Sequence, residues 1–229
     1  MPIPRQYQVK HPRCQICTEG RTEAIYIEQL VERLSLSAIV TVNSPNRNSR
    51  CVKQGCGKQH TDLLDQMQEC GRNWSNVSEQ WLVHDLDRVD AKSIQSFDDT
   101  YRRSYSESGI HTVYSIPCFE YWLLLHHSRL DSDLTCEGCQ DKVKRLLRRN
   151  NRGKRQVPVE AYKTDPDMLR FFTDVSGQAV SHAKSLFGGK IGDPPFCPST
   201  VSPSTNFHKL VERLRRLSDD INGESHSLV

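Results

Sequence analysis

The sequence predicts an α/β protein, with a mostly parallel four-stranded sheet flanked by helices and a helical C-terminal extension. Three observations lead there. Short β-branched runs alternate with amphipathic stretches through the first 130 residues, the pattern of βαβ units. A length of 229 residues suits one such domain with added helices. Acidic side chains fall where the strands end, the edge at which parallel sheets bind ligands.

The first strand is Cys14-Gln15-Ile16-Cys17, stopped by Thr18-Glu19-Gly20. A helix follows, because Ile27, Leu30, Val31 and Leu34 recur on one face. Ala38 to Val42 is the second strand, bounded by Asn43, Ser44 and Pro45. A polar loop leads to a helix around Asp62 to Cys70. Gln80 to His84 is the third strand and ends at Asp85-Leu86-Asp87, followed by a polar helix over Ala91 to Ser106. Gly109 to Ser115 is the fourth strand. Pro117 suits the first position of a helix running to about His127.

Two or three helices are expected between Thr135 and Gly188, joined by a loop from Arg152 to Val159. Gly192 to Pro203 reads as a proline-rich loop. Ser204-Thr205-Asn206 offers capping side chains for a last helix striped by Phe207, Leu210, Val211, Leu214 and Leu217. Residues 1–130 are thus expected to form the α/β core, 131–221 a helical extension packed on it and carrying a basic segment, and 222–229 a tail.

Composition excludes several classes. Apolar residues make up 36% and charged residues 26%, enough for a lean core and too ordered a balance for a disordered chain. The apolar run Trp122-Leu123-Leu124-Leu125 is far short of the roughly 20 residues that cross a bilayer, so no membrane contact is expected. The opening Met-Pro-Ile-Pro-Arg-Gln has no apolar leader region; a cytoplasmic location with nine reduced cysteines is the expectation.

The chemistry is expected at the acids. Hard cations such as Mg²⁺ and Mn²⁺ take oxygen ligands, with Mg²⁺ using one or two protein carboxylates plus waters and substrate phosphates. Asp85 and Asp87 lie where a strand becomes a loop and can turn towards one ion, with Glu19 in the matching position after the first strand. Gly20 lets the backbone bend beside Glu19. Glu23 lies one turn into the next helix, and Asp90 is a candidate outer residue.

Lys142, Lys144, Arg145, Arg148, Arg149, Arg152, Lys154 and Arg155 form a basic block with no acid inside it. The formal net charge is +3, so the remainder of the chain is net acidic. Such a block fits a nucleic acid backbone, whose released counterions drive binding, or else a solvated helix face.

Glu19-Gly20-x-Thr22-Glu23 after a first strand, with Asp85-x-Asp87 after a later one, resembles a Toprim domain, a Rossmann-like architecture. More closely, the chain resembles the RloB (AbiLii-like) family of prokaryotic antiphage defence proteins. The further matches are Ser115-Ile116-Pro117-Cys118-Phe119-Glu120-x-Trp122-Leu123-Leu124-Leu125-His126, Tyr162-Lys163, and Pro203-Ser204-Thr205-Asn206-x-His208-x-Leu210-Val211. The sequence departs from that pattern in the Cys51–His60 insertion and in Leu86, where relatives often carry arginine.

The resemblance implies a Mg²⁺-dependent nuclease of RNA, tRNA among the candidates, or of DNA, encoded beside an AAA-type ATPase and acting in abortive infection. Glu19, Asp85 and Asp87 would hold the ion, and Glu19 could serve as general acid or base. Glu23 could face the same site, Glu120 and Lys163 are further catalytic candidates, and a homodimer is a candidate assembly. The alternative is a non-catalytic subunit that binds nucleic acid or the ATPase and uses its carboxylates structurally. Nucleotidyl transfer, by the same metal chemistry, is a third option.

Other constellations compete. Cys14 and Cys17 are expected on opposite faces of a strand. Cys51 and Cys56, near His60, and Cys136 and Cys139 could combine in a zinc site; buried free thiols are the alternative. Cys118 and His126 lie too far apart on one helix to form a nucleophile–base pair, which leaves Cys118 a small helix-start residue and His126 a packing or polar-network histidine. Gly188-Gly189-Lys190 lacks the spacing of a phosphate loop.

Overall fold

The structure, a computed structural model, describes residues 13–44, 77–87, 91–106, 110–130, 134–150, 159–187 and 197–226. Its strands are β1 (Arg13–Thr18), β2 (Val40–Asn43), β3 (Val77–Asp85), β4 (Ile110–Ile116) and β5 (Ser204–Thr205). Its helices are α1 (Arg21–Arg33), α2 (Ala91–Ser106), α3 (Phe119–Leu125), α4 (Cys136–Asn150), α5 (Pro166–Thr173), α6 (Ser176–Phe187) and α7 (His208–His226), with 3-10 turns at Val159–Lys163 and Pro198–Thr200. The sheet order is β2-β1-β3-β4-β5. The first four strands are parallel, and β5 runs antiparallel to β4.

Alternation along the strands sorts the core into two faces. Cys14 and Ile16 of β1 and Trp81 and Val83 of β3 point into the main core, against Tyr26, Trp122, Phe172 and Phe207 from the helices. Cys17 instead packs with Leu82 and Ile110 on the opposite face. The Cys14–Cys17 pair is therefore split by the sheet, as its position on a strand requires. Further along that second face, Phe97 and Tyr101 of α2 cover Tyr114 and Ile116 of β4.

The main core draws on both halves of the chain, since Leu210, Leu214 and Leu217 of α7 sit in the same cluster as Ile27 and Leu30 of α1. Buried histidine also belongs to it. His126 Nδ1 lies 3.0 Å from the Trp122 carbonyl and Nε2 lies 3.0 Å from the Tyr26 hydroxyl. A carbonyl only accepts, so Nδ1 carries the proton and Nε2 accepts from Tyr26. This is the polar-network role expected of His126.

Several boundaries differ from the sequence reading. Ser204 and Thr205 form β5, where a helix cap was expected. The Asn206 side chain extends that edge: its Oδ1 accepts from the Tyr114 amide at 2.7 Å, and its Nδ2 donates to the Thr112 carbonyl at 2.9 Å. Two strand residues carry too little periodicity to be seen in a sequence. Helix α3 begins at Phe119 rather than Pro117, after an extended Cys118. Asn222 to His226, expected in the tail, continue α7. The expected helix at Asp62–Cys70, the Cys51–His60 segment, Asp90, residues 152–158 and Gly188–Lys190 lie outside the described residues.

Candidate active site

The site forms at the carboxyl ends of β1 and β3. The Glu19 amide donates to the Val83 carbonyl at 2.9 Å, so the ladder between β1 and β3 continues one step past the strand and pins Glu19 beside β3. From there its carboxylate reaches across. Glu19 Oε2 accepts the Asp85 amide at 3.1 Å. Asp85 Oδ2 in turn accepts the Phe119 amide at 2.7 Å, at the start of α3. Cys118, the residue in the N-cap position of α3, makes no side-chain cap bond, so a carboxylate from a different strand performs that role.

Glu23 enters from the first turn of α1 and is 7% exposed. A Cβ on Gly20 would collide with Glu23 Oε2. The absent Cβ thus leaves room for the end of the Glu23 side chain, which would have to shift if a side chain were present at residue 20. Glu120, on α3, accepts the Tyr162 hydroxyl at 2.7 Å and pairs with the Lys163 ammonium at 3.1 Å, both on Oε1. Thr22 of α1 holds the Lys163 carbonyl at 3.3 Å, tying this 3-10 turn to the site.

The electrostatics are those of crowded acids. Burial first, then Glu23, Glu19 and Glu120, push the Asp85 carboxyl well above the usual range. Burial, followed by Glu120 and Glu19, pushes Glu23 up to about 7 against a bond from its own backbone. Glu120 differs. Burial opposes its charge, but the Lys163 ammonium and the Tyr162 hydroxyl outweigh that and hold it below the usual range. Among the described residues, Asp85 Oδ1 and Glu23 Oε2 are buried oxygens with no hydrogen-bond donor. Unpaired buried carboxylate oxygens are unfavourable unless a proton or a cation meets them.

The structure therefore brings Glu19, Glu23, Asp85, Glu120 and Lys163 together. Asp87 is exposed, and its charge lies close enough to Cys136 at the start of α4 to oppose ionisation of that thiol, after the larger effects of Cys118 and burial. Cys118, Glu120 and Cys136 present three ligand atoms within 4.8 Å of one another, a group that could hold a metal ion. Of the cysteines expected to bind zinc, Cys139 is fully buried in the main core, and Cys51 and Cys56 lie outside the described residues.

Cys118 was expected as a small helix-start residue, which is where it lies, but not as a member of a side-chain cluster, and Tyr162 was noted only within a motif. Neither role was legible, because each depends on where α3, α4 and the 3-10 turn meet. On α4, Lys142, Arg145, Arg148 and Arg149 are exposed and Lys144 is half-buried, 3.8 Å from Asp141. Val143 and Leu147 turn inwards, so these basic residues occupy the outward side of an amphipathic helix. Arg152, Lys154 and Arg155 lie outside the described residues.

A family model described as RloB-like protein matches residues 14–214. No curated protein and no solved structure matches the chain.

Proposed function

The chain belongs to the RloB-like family, and from that premise we propose that it is a divalent-cation-dependent phosphodiesterase of the Toprim type. Its proposed substrate is RNA, tRNA among the candidates, and its proposed setting is antiphage defence beside an AAA-type ATPase. One observation carries the reading: Glu19, Glu23 and Asp85 converge from α1 and two strand ends, with buried oxygens on Glu23 and Asp85 that have no hydrogen-bond partner among the described residues.

That donor set fits a hard cation, because it is all oxygen and collectively anionic. Asp85 and Glu19 would hold Mg²⁺ or Mn²⁺, with Asp87 at the exposed rim and Glu23 behind. The ion would supply Lewis-acid stabilisation of the charge that develops on the phosphate. If Glu19 does not ligate the ion, its carboxylate would instead serve as general base towards the attacking water. Lys163, paired with Glu120 and with its side chain 42% exposed, would contact a substrate phosphate oxygen. The basic side of α4 holds the nucleic acid backbone without reading bases.

The test is cleavage of total RNA, tRNA and DNA by purified protein with Mg²⁺ or Mn²⁺, against a chelator control. Glu19→Gln and Asp85→Asn should each lower cleavage by ~10²–10³-fold, the scale of losing one electrostatic group at a reacting centre. Cleavage unchanged in both variants would overturn the assignment. A second reading has one observation in its favour: Asp85 already caps α3. On that reading the carboxylates are structural and the chain is a non-catalytic binding subunit, which the absence of cation-dependent cleavage of any of these substrates would favour.

A further inference from the structure

Cys118 and Cys136 adjoin the carboxylates but have no part in phosphodiester chemistry. Cys118 is 4% exposed, just before α3, and Cys136 opens α4, which packs against α3. Their sulfurs and a Glu120 carboxylate oxygen lie within 4.8 Å of one another. Cys118 Sγ is also 3.8 Å from the Cys136 carbonyl oxygen, so the two segments are in contact. Zinc bonds sulfur at about 2.3 Å, which in a tetrahedron separates two thiolates by about 3.8 Å. Side-chain rotation of roughly an ångström thus suffices to close this group on an ion.

We propose that Cys118, Cys136 and Glu120 form a second metal site, selective for a thiophilic divalent cation of the zinc class and separate from the all-oxygen site at Glu19 and Asp85. Thiolates favour such ions over Mg²⁺, whereas the Glu19 group has only oxygens, so the two positions sort cations by chemistry. The supports around Glu120 match those of a metal-bound carboxylate. Tyr162 and Lys163 both hold Oε1 and fix the orientation of the group. Asp87 adds negative charge near Cys136.

On binding, the ion replaces two thiol protons, which leave to solvent, and forms two metal–sulfur bonds and one metal–oxygen bond. The site would join α3, which Asp85 caps, to α4, which carries the basic residues. Its occupancy would then fix the nucleic-acid-holding helix relative to the carboxylates.

The test uses the full chain, stripped of metal under a phosphine reductant and titrated with Co²⁺. A thiolate-to-cobalt charge-transfer band should grow to one equivalent, disappear with Zn²⁺, and resist excess Mg²⁺. Cys118→Ser and Cys136→Ser should each abolish it. Cys51→Ser, Cys56→Ser, Cys197→Ser and Glu19→Gln should retain it. Cys136 is half-buried at a helix start, so Cys136→Ser is the variant best placed to keep the fold, which circular dichroism and a melting curve would verify. Absence of the band in the wild type, its persistence in Cys118→Ser or in folded Cys136→Ser, or its loss in Cys51→Ser would each overturn the proposal. Persistence in Glu19→Gln keeps this result separate from the fate of the nuclease reading.

Discussion

The carboxylate of Glu19 accepts the backbone amide of Asp85 at 3.1 Å, joining two residues 66 positions apart. The bond does more than bring two acids close. It orients Glu19 with the main chain of β3, while the Asp85 side chain turns the other way to cap α3. Two strand ends and one helix start are thereby fixed around a single anionic centre.

The close contact between Gly20 and Glu23 gives the first prediction. Gly20→Ala should destabilise the protein by about 1 kcal/mol, the low end for overpacking, because the atoms in the way are the end of one glutamate side chain. A second change, Glu23→Ala, should remove most of that penalty, because it deletes the carboxylate the new methyl would strike. Urea unfolding of both single variants and the double variant measures the coupling. Additive effects would show that Gly20 is needed for another reason.

The pH dependence of stability follows from Glu23. Its carboxyl is pushed up to about 7, chiefly by burial, whereas an unfolded glutamate titrates near ~4.3. Between those values the unfolded chain has released a proton that the folded protein still binds. Stability from this group is therefore fully present below about 4.3 and declines as pH rises through about 7. Denaturant curves at pH 5 and pH 8 should show the decline, and Glu23→Gln should flatten it. If the site takes Mg²⁺, the ion should raise the melting temperature at pH 8 and do little at pH 5.

His126 acts with the opposite sign. Burial lowers its imidazole to about 3, outweighing its backbone bonds, so the folded protein keeps it neutral while an unfolded chain protonates near ~6.5. Its contribution is complete above about 6.5 and is lost as pH falls towards about 3. Tyr26→Phe leaves Nε2 without its donor and should cost about 1–3 kcal/mol at neutral pH. A Tyr26→Phe variant as stable as wild type in thermal unfolding would refute a stabilising bond between Tyr26 and His126.

The basic side of α4 predicts a salt signature. If Arg145 and Arg149 each meet a phosphate, the Arg145→Ala/Arg149→Ala double variant should bind single-stranded RNA more weakly. Its slope of log K against log salt should be shallower by about 1.4, at roughly 0.7 per lost contact. Fluorescence anisotropy across a salt series reads this directly. An unchanged slope would return the helix to the role of a solvated face.

Much of this protein was legible in its sequence because local pattern is enough for local structure. Short strand-like runs marked the positions of β1 to β4, the spacing of Ile27, Leu30 and Val31 marked α1, and the polar stretch of roughly Ala91 to Ser106 marked α2. The positions of Glu19 and Asp85 after their strands were also readable, since a parallel sheet places successive strand ends on one edge. The two-residue β5 was not, because its pairing with β4 is long-range.

The remaining determinants arise only from packing. The sequence alone could say that Glu120, Cys118 and Cys136 lie near helix starts, but the seating of α4 against α3 brings their ligand atoms within 4.8 Å. Likewise, nothing local marks Tyr162 as the donor that holds Glu120, or Glu23 as the acid pressed on Gly20. Strand ends follow from periodicity and chain direction. Distances between side chains, and the protonation those distances impose, depend on how the helices dock and how much water they exclude.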